Sequence, residues 1–352
     1  MELAFIIEKF ALVTVIFLIS LGVAAYSTLA ERKIAAFLQG RVGPHRAGPH
    51  GMFQPLADGG KMFFKEEIIP SESNPILFIM GPSLALLTAC IGSAVIPWGQ
   101  SMVIGDTVVD LQVADINVGI LYIFGVVSLG VYGIMIGGWA SNNKFSLMGA
   151  IRAASQNISY EIAMGLSIIA LLMVTGTLSL KEIAEQQHGF WHNGWFTWNV
   201  FNQPLGFLLF IICAFAECNR TPFDLPESEN ELVAGYHTEY SGFKLGAFLF
   251  AEYINMFVSS AVMATLYWGG YNYPGMDLVN EALGSTWAPL VGVAVLFAKI
   301  FLFIFFFMWI RWTIPRFRYD QLMHLGWKVL IPIGIANIVL TGVWMTLKDI
   351  LF

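Results

Sequence analysis

The sequence predicts an all-α polytopic membrane protein with about eight transmembrane helices and short interfacial helices on the cytoplasmic side. Three observations carry that prediction. Of the 352 residues, 57% are hydrophobic and 12% charged, with 29 Phe and a mean hydropathy of +0.69, more apolar than a water-soluble domain of this length. The apolar residues gather in runs of roughly 20, enough to cross a hydrocarbon core about 30 Å thick. The third is charge placement: 14 of the 18 Lys and Arg fall in or beside alternate connections.

Taken in order, the expected spans cover 4–30, 76–97, 114–138, 156–176, 204–218, 243–268, 287–310 and 328–347. The first is read as a retained helix, because Glu2 and Glu8 outnumber Lys9 where a signal peptide would be basic. An even count puts both ends on one side. By the positive-inside rule that side is periplasmic, and the loops at about 31–75, 139–155, 218–242 and 311–327 face the cytoplasm. In the first of these, Leu56, Gly60, Phe63, Phe64 and Glu67 share one helical face and Asp58, Lys61 and Lys65 another, so a short interfacial helix is expected. Trp98, Trp191, Trp195 and Trp198 lie near outer span ends, where an amphipathic ring anchors at the headgroups.

Other classes find little support. Cys90, Cys213 and Cys218 sit in or beside apolar segments at spacings that suit neither a metal site nor a disulfide framework. The basic residues form no long run, so nucleic acid is not an expected partner, and no phosphate loop, nucleophile elbow or dinucleotide fingerprint occurs. No internal repeat is visible, and residues 1–352 read as a single integral membrane domain. His45, His50, His237 and His324 are read as solvated or satisfied rather than catalytic.

The unusual feature is acidic. Glu217, Asp224, Glu227, Glu229, Glu231, Glu239 and Glu252 crowd into 36 positions between and within apolar segments, and Glu161 is carried into a span. An ionised carboxyl near hydrocarbon costs several kcal/mol or changes its pKa, so such groups line wet cavities and move ions or protons. For Glu161 two structural roles stand beside that one: pairing with Arg152, or capping a neighbouring helix.

The run Ala216-Glu217-Cys218-Asn219-Arg220-Thr221-Pro222-Phe223-Asp224-Leu225-Pro226-Glu227-Ser228-Glu229-Asn230-Glu231-Leu232-Val233 resembles the signature of a membrane-subunit family, the H subunits of proton-pumping NADH:quinone oxidoreductase (respiratory complex I) and their mitochondrial equivalents. Further blocks agree: Glu31-Arg32-Lys33, Arg41-x-Gly43-Pro44, Gln54-Pro55-x-Ala57-Asp58, Gly149-Ala150-x-Arg152-Ala153, Ile158-Ser159-Tyr160-Glu161, Ala251-Glu252-Tyr253, and Pro315 through Met323. Pro226 and Asn230 depart from the family spacing without removing an acid, and His237 lies close to Glu239.

The resemblance implies a multi-pass component of a bacterial inner membrane enzyme, with quinone (ubiquinone or menaquinone) as substrate. It implies a proton path through Glu161, Glu217, Arg220, Asp224, Glu227, Glu229, Glu231, Glu239 and Glu252. It also implies a quinone chamber or charged wall that includes Arg32, Arg41, Asp58, Lys61, Lys65, Glu66, Tyr160, Tyr253, Arg311, Arg316 and Arg318, the last two shared with docking to a soluble partner. Flavin and iron–sulfur clusters are expected on partner subunits, and neither a metal site nor a catalytic residue is expected here. The expected partners are peripheral-arm quinone-site subunits, adjacent small membrane subunits and lipid. Two alternatives are the membrane subunit of a related hydrogenase or formate hydrogenlyase, and a stand-alone cation/proton exchanger.

Overall fold

The computed structural model describes the chain apart from residues 1, 105–106, 190, 193–194 and 352, and side chains apart also from those at 2–5, 104, 107, 191–192, 195–196, 229–230, 285 and 349–351. Among the described residues, seven helices are long and apolar enough to cross a membrane, and Pro204–Glu217 is a shorter apolar one. The expected all-α polytopic class is what is found.

Helix α1 (Glu2–Leu38) leads into the short α2 (Gln54–Phe64), then α3 (Pro75–Ile91), a small hairpin of β1 (Met102–Ile104) and β2 (Thr107–Val109), α4 (Gly119–Ala140) and α5 (Lys144–Thr175). After α6 (Leu180–Gln186) and the single turn α7 (Asn199–Asn202) come α8 (Pro204–Glu217), the single turn α9 (Glu229–Leu232), α10 (Gly242–Tyr267) and α11 (Met276–Thr313). Helix α12 (Tyr319–His324) passes through a wider π turn at Leu325–Leu330 into α13 (Ile331–Leu351).

Local chemistry sets several boundaries. The Asn74 side chain accepts from the Ile76 and Leu77 amides ahead of Pro75, and Asn143 accepts from the Phe145 amide. Gly176, at φ 70, closes α5 in the left-handed conformation. The expected end of the first span and start of the fourth shift, while the short fifth span keeps its expected bounds to within one residue. Helix α1 continues past residue 30, because no breaker precedes Gly40 and the buried Ala35 and Ala36 still have a core to face, so Glu31, Arg32 and Lys33 are helical. Helix α5 starts at Lys144 under its Asn143 cap, shortening the expected 139–155 connection to residues 141–143. Helix α8, at 14 residues, is about 21 Å long, less than a bilayer core.

Helix α10 is the central element, packed against α1, α3 and α11. Helices α3 and α4 meet through glycine: a Cβ on Gly81 would lie 2.7 Å from Gly137 Cα, so only backbone fits there. The two chain ends share one end of the bundle. There Lys9 Nζ donates to Gln112 O, and Gln203 to Thr341 Oγ1, while Lys299 Nζ donates to the carbonyls of Trp268, Gly270 and Asn272 at 2.6–2.8 Å. Most of the Lys and Arg lie at the opposite end, where Arg32, Arg220, Arg311 and Arg316 pair with Asp58, Glu31 and Asp224.

Candidate functional site

The acidic segment 218–241 does not hang in solvent. It is folded back onto the bundle by polar contacts to α5 and to the connection between α11 and α12. Gln156 Nε2 on α5 donates to Ala216 O (2.8 Å) and Phe223 O (2.7 Å), Ser146 Oγ to Tyr236 O (2.7 Å), and the Phe317 amide to Pro222 O (3.1 Å). Its own Phe223, Leu225, Leu232 and Tyr236 are buried. Gly149 lets α5 approach the segment, since a Cβ there would stand 2.6 Å from the Tyr236 nitrogen and 2.8 Å from Pro226 O.

This enclosure assembles a charge cluster around Arg220, which is 4% exposed. Its Nη1 donates to Glu31 Oε2 at 3.2 Å, its Nη2 lies 4.0 Å from Glu252, and its guanidinium covers the Tyr253 ring at 4.1 Å. Glu31 also takes Arg311 at 2.6 Å and the Tyr253 hydroxyl at 2.9 Å, while Tyr236 donates to Glu252 at 2.9 Å. Burial works against the Arg220 charge, but Tyr253, Glu31, Glu252 and Glu227 outweigh it and hold the guanidinium well above its ordinary pKa. Burial and then neighbouring Glu252 and Glu227 raise the Tyr236 phenol, so it remains a donor. Beside this cluster Arg316 binds Asp224 at 2.7 Å. Burial, helped by Glu227, pushes the Asp224 carboxyl up to about 7 against the opposing Arg316, Arg311 and Arg220. A carboxyl with that pKa exchanges protons at neutral pH.

Deeper in the bundle, Glu217 Oε2 is shut off from solvent and has no hydrogen-bond partner among the described residues. Glu217 lines two small cavities of about 30 and 40 Å³, one of them with Asn157, Asn255, Tyr236 and Glu252, each with room for about one water. Glu161 on α5 receives the Ser128 hydroxyl of α4.

On the other side of Arg220 lies a cavity of about 220 Å³ between α1, α2, α10 and α11. Ala25, Pro55, Met62, Leu249, Phe250 and Trp312 make its walls apolar, and Glu31, Arg32, Asp58 and Tyr253 supply polar groups. Asp58 takes Arg32 and Lys61 at 2.6 Å and Gln54 at 3.0 Å. Burial alone would raise its carboxyl, but Lys61, Arg32 and Gln54 together bring it below the usual range, so it stays ionised. Helix α2 shows the expected amphipathic form, with Leu56, Phe63 and Phe64 exposed.

The family model for NADH dehydrogenase matches residues 10–342. The chain belongs to the NADH dehydrogenase family. Among its relatives, the first of the NADH-quinone oxidoreductase H subunits of Cytophaga hutchinsonii is 64% identical over 96% of both chains. The NADH-quinone oxidoreductase H subunit of Flavobacterium johnsoniae is 62% identical over 99% of this chain and 98% of its own. The first H subunit of the Geobacter sulfurreducens enzyme is 46% identical over 99% and 98%. The resemblance read from the acidic signature thus holds at the level of the family, that of a component of an oxidoreductase complex.

Within this NADH dehydrogenase family member, the expected site residues fall into three groups. Arg32, Asp58 and Tyr253 line the cavity, with Arg311 joined to it through Glu31. Arg220, Asp224, Glu227 and Glu252, with Arg316, form the buried charge cluster, where Glu227 stands 4.0 Å from His237; Glu161 and Glu217 lie beyond it. The remainder lie elsewhere. Lys61, Arg41, Lys65 and Glu66 are exposed, as is Arg318, which pairs with Asp320. Tyr160 is buried against Phe223 with its hydroxyl on Leu322 O. Glu231 pairs with Arg152 at 2.5 Å, Glu239 takes Asn143 at 2.6 Å, and the Glu229 side chain lies outside the described residues. Arg152 is therefore engaged by Glu231, and Glu161 by Ser128. His45 and His50, read singly in the sequence, stand ring to ring at 5.3 Å. Among the described residues no group of three His, Cys, Asp or Glu is placed to hold a metal.

Sequence reasoning missed the roles of Glu31 and Ser128. Glu31 had a signal, since nothing breaks the helix between it and Leu38. Ser128 had none, being one hydroxyl in an apolar run.

Proposed function

We propose that this chain is the membrane subunit of a proton-translocating NADH–quinone oxidoreductase that walls a quinone chamber and passes the charge change of quinone reduction to a row of buried carboxylates. The observation that carries the reading is the position of Glu31. It belongs to the cavity and to the charge cluster at once, bound to Arg220, which in turn faces Glu252. A unit charge change 4 Å away is worth about 4 kcal/mol at an effective dielectric near 20, several times what is needed to move a proton off a carboxyl of matched pKa.

In this reading the quinone ring enters along the apolar wall of α1, α2 and α10 and meets Asp58, Arg32 and Tyr253, while its isoprenoid tail stays against Leu249, Phe250 and Trp312. Electrons arrive from flavin and iron–sulfur groups of partner subunits that dock on the charged end, which faces the cytoplasm of a bacterial cell with both termini periplasmic. Two-electron reduction gives neutral quinol only by taking two protons from groups around the ring, and it is that withdrawal of protons that alters the charge facing Glu31. Arg220 and Arg316 then rebalance against Glu252 and Asp224, and Glu217 and Glu161 carry the change inward.

The test is Glu217→Gln, measured as the proton-to-electron ratio of NADH oxidation in inverted membrane vesicles. We expect the ratio to fall with the complex still assembled. A wild-type ratio would remove this carboxyl from the path.

A further inference from the structure

We propose that Ser128 is the positioning residue of Glu161: a hydroxyl on α4 that serves both protonation states of the α5 carboxyl and so governs how readily it exchanges a proton. The inference rests on the reading that Glu161 belongs to the proton path. Among the described residues, Ser128 Oγ has two hydrogen-bond neighbours. The Phe124 carbonyl one turn back stands at 2.8 Å, and Glu161 Oε1 lies within hydrogen-bond reach. A hydroxyl has one proton and two lone pairs, so it donates to only one of these neighbours at a time.

With Glu161 ionised, the hydroxyl turns to the carboxylate and donates a charge-assisted bond, the stronger of its two options. With Glu161 protonated, the hydroxyl turns back to Phe124 O and accepts the carboxyl O–H on a free lone pair. Ser128 keeps its own proton in both states. Only a rotation about its Cβ–Oγ bond separates them.

The surroundings give that rotation consequence. Phe124 and Val127, neighbours of Ser128 on the same turn of α4, line the cavity of about 40 Å³ that Glu217 also lines. A carboxyl inside an apolar span that loses its hydrogen bond in either state must bear a desolvation cost. One hydroxyl that fits both states removes that cost from each side of the exchange.

The test uses the whole complex in native membranes. Difference infrared spectroscopy, with Glu161→Gln identifying the Glu161 carboxyl band, is applied to Ser128→Ala and Ser128→Thr, alongside the rate of quinone-coupled proton translocation. In Ser128→Ala we expect the C=O band to move to higher wavenumber, as a carboxyl does on losing its partner, and coupled translocation to slow roughly tenfold. Ser128→Thr, which keeps the hydroxyl on a helix, should restore both and shows that Ser128→Ala acts through the hydroxyl, not through folding. An unmoved band and an unchanged rate in Ser128→Ala would overturn the proposal. If Glu161→Gln itself pumps at the wild-type ratio, the proton-path reading of Glu161 fails, and the infrared arm still decides whether Ser128 holds that carboxyl.

Discussion

Glu31 and Arg220, 189 positions apart, meet at 3.2 Å in the middle of the charged end of the bundle, each less than a tenth exposed. A buried guanidinium held by one carboxylate, approached by a second and covered by a tyrosine ring is tolerable only because the whole set is present.

Removing one member should therefore be costly. Glu31→Ala leaves Arg220 and Arg311 without their shared partner, and we expect a loss of about 3–5 kcal/mol, the range for breaking a buried ion pair. Thermal unfolding of the purified complex measures it. A midpoint within a degree of wild type would show that the pair is not stabilising.

Asp224 makes stability depend on pH. Its folded pKa of about 7 stands above the ordinary 3.8, so between those values the folded chain binds more protons than the unfolded one. Stability contributed by the protonated form is thus complete below about pH 4 and lost as pH rises towards 7. Asp224→Asn cannot lose it. Over pH 5 to 8 the thermal midpoint of wild type should fall relative to this variant, by the equivalent of a few kcal/mol at most. Parallel curves for the two proteins would contradict the assignment.

Asp58 offers a test on the cavity side. It is held ionised by Lys61 and Arg32, and the exposed side of that cluster contributes little to stability. We expect Asp58→Asn to leave assembly intact and to raise the apparent quinone KM severalfold, with kcat less affected, as loss of one polar contact on the substrate would do. Steady-state kinetics with a short-chain quinone decides. An unchanged KM would take Asp58 off the chamber wall.

The seating of the acidic segment rests on Gly149. Gly149→Ala places a methyl group against the Tyr236 nitrogen and Pro226 O, both backbone atoms that cannot swing aside. We expect about 1–3 kcal/mol of destabilisation, the usual cost of overpacking, and faster hydrogen exchange in 226–236. Wild-type exchange there would show that the loop is anchored by something else.

The spans were largely legible in the sequence because insertion into a bilayer depends on the local run of apolar residues, which composition displays directly. The acidic segment and its family were legible for a related reason, since its residues are contiguous from Ala216 to Val233. Boundaries were less so. Glu31 to Lys33 look like the start of a loop by charge alone, yet Ala35 and Ala36 find buried contacts and draw the helix on to Leu38. Lys65, Glu66 and Arg318 share the charge pattern of Arg32 and Asp58 but lie exposed away from the cavity, a distinction that no spacing encodes.

By itself, then, the amino-acid order determined the class of protein, the approximate spans and the stretch that holds the unusual acids, all properties that neighbouring residues settle among themselves. Only the tertiary structure decided which acid meets which base. Glu31 with Arg220 and Arg311, Asp224 with Arg316, and Glu161 with Ser128 are brought together by helices packing from distant parts of the chain. The reason is physical: a charge in an apolar interior is stabilised by whatever lies within a few ångströms, and that distance is set by packing rather than by sequence separation.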